Sequence, residues 1–205
     1  MKRIIVLDAD DFGPKVFAIP FLEELKSHIP NFKITLFTNS ADPGVDLKTY
    51  KKWVDLIQKH YPWIEIVQHG VNHTPNEFNV TGKELRHVIR MMKRANRLTG
   101  LKPKKIMKAP FWQMSEEGYK YFKRKGYVVA TDRNQIRPRI KGMKQYRWNW
   151  SFEEPDPGYP VLKGHGHVTK QSANYIGKCM KNLMDLPQDA EYLFVSEYIK
   201  RFGSD

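Results

Sequence analysis

Short apolar runs alternate along this chain with stretches whose apolar residues recur at helical spacing. Arg3 to Leu7 reads as a continuous apolar strand suited to burial on both faces. Lys15 to His28 reads as a helix with Phe17, Phe21, Leu22 and Leu25 on one face and Pro30 as its stop. Lys33 to Phe37 is a second strand, Leu47 to His60 a helix carrying Trp53, Leu56 and Ile57, and Trp63 to Gln68 a third strand. Thr81-Gly-Lys-Glu84 has the spacing of a capping box and predicts a long helix to about Leu98, closed by Gly100. Ile106 to Ala109 is a fourth strand, Ser115 to Lys125 a helix stopped by Gly126, and Tyr127 to Ala130 a fifth strand. Arg147 to Ser151, Pro160 to His165 and Tyr192 to Val195 are further candidate strands, with a helix from Ser172 to Met184 between the last two.

Strand-helix alternation of this kind predicts an α/β fold: a (β/α) barrel, or a distorted version, of seven or eight parallel strands formed by residues 1–205 as one domain. A doubly wound open sheet is the competing architecture. In both, reactive side chains gather just past the C-terminal ends of the strands.

Composition narrows the class. The 205 residues are 40% hydrophobic and 28% charged, the balance of a soluble globular chain. The single cysteine, Cys179, excludes an internal disulfide and a four-cysteine zinc site, and its helical setting suggests a small buried apolar residue. The apolar run after Met1-Lys2-Arg3 is too short for a signal peptide or a membrane span, so the expectation is a cytoplasmic protein without a membrane partner. A net charge of +13 favours anionic partners such as nucleic acid, anionic glycans or a bacterial wall. Local clusters such as Lys102-Pro103-Lys104-Lys105 carry no nucleic-acid motif with them.

Candidate chemistry collects at the strand ends. The first strand runs into Asp8-Ala-Asp10-Asp11-Phe12-Gly13, the third into His69-Gly-Val-Asn-His73, and the fourth into Pro110-Phe111-Trp112. The fifth is followed by Asp132, and the seventh runs into His165-Gly166-His167. On a helical turn the spacing of His69 and His73 puts both imidazoles on one face, within reach of one ion. Two histidines and one carboxylate of the Asp10-Asp11 pair leave positions open on zinc for water and a substrate oxygen. The metal lowers the pKa of its water and polarises a carbonyl. A second carboxylate can act as general base, and a histidine opposite, His167 or His165, can protonate the leaving group. That set suits metal-assisted hydrolysis of an amide or ester, with zinc as the expected ion and cobalt, manganese or magnesium as alternatives.

In order and spacing these residues resemble the polysaccharide deacetylase family, which has the NodB-homology fold, over nearly the whole chain. The resemblance implies that Asp10 is the catalytic base, that Asp11, His69 and His73 are the metal ligands, and that a metal-held water attacks an N-acetyl or O-acetyl group of a glycan. Lys108-Ala109-Pro110-Phe111-Trp112 resembles the motif forming one side of the substrate groove, with the Phe111 N–H holding the oxyanion. Leu162-Lys-Gly-His165 or Gly166-His167-Val168 resembles the motif that supplies the late histidine, and the tail Tyr192 to Glu197 is similar to the closing strand and turn. Phe12 before Gly13 is similar to a branch acting on small chito-oligosaccharides. Two further departures stand out. Lys108 occupies the place of an arginine that pairs with the base. An Asp-x-x-Asp-Trp motif is not plain, with Asp132 or Trp148-Asn149-Trp150 as its replacement. Trp112, Tyr146, Trp148 and Trp150 are candidates for stacking on sugar rings, whereas Trp53 and Trp63 are expected in the core.

Two other classes fit parts of the pattern. Ile4 to Asp10 matches the strand-Asp-x-Asp signature of haloacid-dehalogenase-type phosphatases, with Asp8 as nucleophile, but the Gly-Thr expected soon after is replaced by Asp11-Phe12-Gly13-Pro14. A non-catalytic basic module that binds glycan or nucleic acid fits the charge and leaves the strand-end residues without work.

Overall fold

The computed structural model describes residues 2–15, 19–134, 140–167 and 173–204. Phe17, Val168 and Ser172, named above, lie outside the described residues. In chain order the elements are β1 (Ile4–Phe12), α1 (Ile19–His28), β2 (Ile34–Asn39), α2 (Leu47–His60), β3 (Ile64–Gly70), α3 (Gly82–Thr99), β4 (Lys104–Met107), a 3-10 turn (Pro110–Trp112), α4 (Glu116–Arg124) and β5 (Val128–Thr131). There follow β6 (Gln145–Arg147), β7 (Trp150–Ser151), β8 (Val161–His167), α5 (Ala173–Met184), β9 (Glu191–Leu193) and α6 (Val195–Phe202).

The strands pair in the order β6-β5-β4-β3-β2-β1-β8-β7, with β9 against the start of β1, and every recorded pair is parallel. The strands at the two ends of this order, β6 and β7, are separated in the chain only by Trp148 and Asn149. So short a link draws the two edges together. The sheet curls into a distorted (β/α) barrel, as the alternating pattern predicts.

Residues of β1 alternate between two environments. Ile5, Leu7 and Ala9 pack outward against Leu22 of α1, Val54 of α2 and Leu183 of α5. Ile4 and Val6 face inward and pack with Phe37, Val67, Ile106, Ala130 and Tyr146. The inward positions that come next are Asp8 and Asp10. The barrel is therefore plugged by apolar side chains below and turns polar at its C-terminal rim. The neighbouring β8 follows the same logic, with Asp8 opposite His165 and Asp10 opposite His167. Its glycines face outward: a Cβ on Gly164 would lie 2.6 Å from Trp150 and 2.9 Å from Leu7, and one on Gly166 would overlap Phe152. The Gly-His-Gly-His sequence thus brings β8 hard against the outer aromatics while aiming two imidazoles inward.

Several expectations need correction. The strand expected over Arg147–Ser151 is two short strands divided by Trp148-Asn149. Thr81 caps α3 without any side-chain hydrogen bond, so the expected capping box is not formed; Glu117 of α4 accepts the Gly82 N–H at 2.8 Å. The last strand ends at Leu193, and the rest of its apolar run opens α6, where the Glu197 carboxylate accepts the Phe194 N–H at 2.9 Å. Among the described residues, no helix is long and apolar enough to cross a membrane.

Candidate metal centre and catalytic rim

Adjacent residues in a regular strand point to opposite faces, so Asp10 and Asp11 could not both reach the barrel mouth without a distortion. The β1–β2 register supplies it: Ala9 pairs with Leu36 and Phe12 with Thr38, three steps on one strand against two on the other. Asp11 lies within this bulge with φ 58°. Asp11 Oδ1 comes within 2.8 Å of His73 Nε2 and 3.3 Å of His69 Nε2.

His69 is the inward residue near the end of β3, but His73 is not on a helix. The sequence expectation of a shared helical face is corrected here. Gly70, with φ 130°, ends the strand, and a loop carries His73 at φ 56°. A Cβ on Gly70 would lie 2.7 Å from Pro110 Cγ, so the loop closes against the Pro110 turn only without one. Glu77 fixes the loop by accepting the N–H groups of Val71 and Asn72, each at 2.8 Å. Sequence reasoning missed Glu77; its spacing of four residues from His73 was the available signal.

His69 Nδ1 lies 3.1 Å from the Lys108 carbonyl oxygen. A carbonyl only accepts, so Nδ1 carries the proton and Nε2 presents a lone pair. That lone pair faces Asp11 Oδ1, which is buried and has no hydrogen-bond partner. Burial opposes ionisation of Asp11, but the imidazoles of His69 and His73 outweigh it and hold the carboxyl far below the usual carboxylate range. The adjacent Asp11 carboxylate in turn raises the His73 pKa. Asp11, His69 and His73 form a group spaced to hold a metal ion, and a cation among them would satisfy the orphaned oxygen and both nitrogens. A two-histidine, one-carboxylate donor set suits zinc.

Beside the triad lies a buried ionic cluster. Lys108, 1% exposed, places Nζ 2.6 Å from Asp10 Oδ1 and 3.0 Å from Asp8 Oδ1, over the rings of Phe37 at 3.9 Å and Trp112 at 4.6 Å. Burial pushes both carboxyls upward, yet the ammonium and nearby imidazoles prevail and hold both acids well below their usual range. The second Asp10 oxygen, Oδ2, lies 3.9 Å from His69 Nε2 and 3.7 Å from His165 Nε2. Asp10, His165 and His167 are also spaced to hold a metal ion, but the Lys108 ammonium already supplies a cation to this group.

The expected site residues divide clearly. Asp10, Asp11, His69, His73, Lys108 and His165 converge, with His167 half-buried beside them. Lys108 is enclosed, with its ammonium held by Asp8 and Asp10. Pro110 is buried, Phe111 is 49% exposed with its ring 4.9 Å from that of His73, and Trp112 meets the His165 ring edge-on at 5.5 Å. Phe111 and Trp112 both have positive φ, 52° and 60°. Asp132, just after β5, accepts the Asn134 N–H at 2.6 Å. Trp150 is not at the rim: it is 1% exposed, and its Nε1 donates to the carbonyls of Glu154 and Pro155. Tyr146 is an inward core residue, and Trp148 is buried with Arg133 stacked 4.6 Å from its ring. Trp53 and Trp63 are partly buried against the core, as expected. Asp8 has no exposed surface, which leaves a phosphate ester no approach to it as a nucleophile.

No family model and no curated protein matches the sequence. Solved structures do match the fold. A peptidoglycan deacetylase from Bacillus subtilis superposes with a TM-score of 0.61 at 18% identity, over 98% of this chain and 92% of that one. A peptidoglycan N-acetylglucosamine deacetylase gives 0.61 at 18% identity, over 96% and 92%. A pseudoenzyme of carbohydrate esterase family 4 from Bacillus anthracis gives 0.58 at 16% identity, over 96% and 65%. The strand order, the curled sheet and these neighbours together establish that the chain has the NodB-like fold of the polysaccharide deacetylases of carbohydrate esterase family 4.

Proposed function

We propose that the protein is a metal-dependent hydrolase that removes N-acetyl, or O-acetyl, groups from a polysaccharide or oligosaccharide. The observation that carries this reading is the convergence of Asp11 Oδ1 with His69 Nε2 and His73 Nε2 beside a separate buried acid, Asp10. A divalent ion held by Asp11, His69 and His73, zinc by its donor set, would polarise the acyl carbonyl and acidify water. Asp10 is ionised and has one oxygen turned toward His69 and His165, so it takes the water's proton. The neighbouring N–H groups of Trp112 and Gln113 are spent on Ala109 and Pro110, which leaves the Phe111 N–H as the donor proposed for the oxyanion. A histidine of β8 gives a proton to the nitrogen or oxygen that departs. The exposed ring of Phe111 and the edge of Trp112 supply apolar surface for a sugar.

Acetate release from N-acetylated glycans, paired with elemental analysis, tests this reading. Asp10→Asn should retain the metal and lose about 10²–10⁴-fold in rate, the usual worth of a general base. Asp11→Asn and His73→Ala should lose metal and activity together. Full activity in His73→Ala sinks the metal centre, and metal loss in Asp10→Asn with retention in Asp11→Asn reverses the two acids. The second reading, glycan binding without catalysis, is favoured by the pseudoenzyme among the structural neighbours. It predicts glycan binding by the metal-loaded protein with no acetate released.

A further inference from the structure

Asp8 is fully buried, and the mechanism above gives it no task. Its Oδ1 lies 2.8 Å from His165 Nδ1 and 3.0 Å from Lys108 Nζ. The Lys108 ammonium also lies 3.2 Å from that nitrogen, but it donates at shorter range to Asp8 and Asp10. A carboxylate only accepts hydrogen bonds, so the nitrogen facing Asp8 at 2.8 Å carries the proton. The ring then presents Nε2 on its opposite side, 3.7 Å from Asp10 Oδ2. Three features keep it there. The β1–β8 register sets Asp8 opposite His165. The Trp112 and Trp148 rings lie 5.5 and 5.2 Å from the imidazole. Lys108 bridges Asp8 and Asp10 from the side. Among the described residues no carboxylate is hydrogen-bonded to the His167 ring, which is half-buried, and burial pushes its imidazole toward the neutral form.

We propose that Asp8 is the positioning residue of an Asp8–His165 dyad, holding His165 as the Nδ1–H tautomer with Nε2 turned to the cleft. His165, not His167, is then the proton donor. The assignment deepens the deacetylase reading and rests on it for the identity of the leaving group. The proton that Asp10 takes from water passes to His165 Nε2 and from there to the amine nitrogen as the acyl C–N bond breaks, while the Nδ1 proton stays on His165 against Asp8. Water and amide become carboxylic acid and amine, with Asp10 again a carboxylate and His165 again the neutral Nδ1–H tautomer. The groups facing the imidazole are Asp8 and Asp10 from β1, Lys108 after β4, Trp112, Trp148, and His167 on its own strand.

Two measurements decide the matter. The first needs no activity: long-range ¹H–¹⁵N spectra of the histidine rings in the wild-type protein. Neutral His165 is expected with its proton on Nδ1, and an Nε2-protonated ring overturns the proposal. The second compares an N-acetylated oligosaccharide with an aryl acetate, whose leaving group departs without a proton. Asp8→Asn should keep its metal and lose about 10²–10⁴-fold on the amide, with a far smaller loss on the aryl ester. His165→Ala should show the same split, and the double variant should lose little more than either single one. Equal losses on both substrates, loss of metal, or the split appearing in His167→Ala alone would each show Asp8 to be merely structural. If the wild type cleaves neither substrate, the deacetylase reading fails, while the ring spectra still decide the Asp8–His165 pairing.

Discussion

Asp11 and His73 sit at positive φ, 58° and 56°, conformations that cost a non-glycine residue about 1–3 kcal/mol each. Two neighbouring features hold them there. The bulge in β1 turns Asp11 inward, and Glu77 pins the loop before His73 through two backbone N–H groups. Glu77 accepts backbone N–H groups of the loop and is not one of the proposed ligands, so Glu77→Ala should leave the ligand set intact and loosen it. Its metal affinity should fall about 10- to 100-fold, the usual effect of removing a group that orients ligands. Titration with a competing chelator measures this, and an unchanged dissociation constant would remove Glu77 from the account. Asp10, Asp11, His69 and His73 could be picked out from sequence because paired acids and paired histidines follow strands. Asp8 could not be placed, because its partners are 100 and 157 residues away. In the sequence it stands out only through the strand-Asp-x-Asp pattern, which suggests a nucleophile.

At the scale of elements, apolar periodicity locates β2 to β5 and the helices α2 to α5 to within a few residues, since burial dictates both, whereas β1 runs five residues beyond the expected Leu7, because its inward polar positions Asp8 and Asp10 break the apolar run. Errors arose where tertiary contacts override local signals. Thr81 has the spacing of a capping box but makes no side-chain cap, and Glu117 from another helix accepts the Gly82 N–H of the first turn. The apolar run from Tyr192 to Val195 predicts a strand through Val195, but Val195 opens α6, because Phe194 is no conventional cap that would mark the start of a helix in sequence. The start of β1 depends on a contact equally invisible in sequence: Arg3 forms a two-pronged pair with Asp156, both distances 2.5 Å. The Arg3 hydrogen bond depresses the Asp156 pKa, so the folded state favours the ionised form. Its stabilisation is fully present above the unfolded value of about 4 and is lost as pH falls through the lower folded value. Asp156→Asn should therefore cost about 1 kcal/mol in denaturant unfolding at pH 7. The gap from wild type should narrow below about pH 4, and a gap independent of pH would show that charge has no part in it.

At the scale of the whole molecule, the rim is locally acidic and imidazole-rich while the chain carries a net charge of +13. The excess is concentrated in places. α3 exposes Lys83, Arg86, Arg90, Lys93, Arg94 and Arg97, with Glu84 as its only acid. Arg86, Arg90 and Arg94 follow at four-residue spacing, where like charges repel along a helix by a few tenths of a kcal/mol per pair. A polyanion lying along this face would relieve that repulsion, and its attraction would weaken as salt screens it over about 10 Å at 0.1 M. If the glycan is anionic, KM should rise about three- to tenfold between 50 and 300 mM salt, with kcat unchanged because the reacting groups are buried and screened little. KM for a neutral N-acetylated oligosaccharide should stay flat. Arg90→Glu combined with Arg94→Glu should raise KM for the anionic polymer at low salt and flatten its salt dependence, while leaving the neutral substrate unaffected. Identical salt curves for both substrates would mean that the positive charge steers nothing, and that apolar contact at Phe111 and Trp112 governs glycan binding.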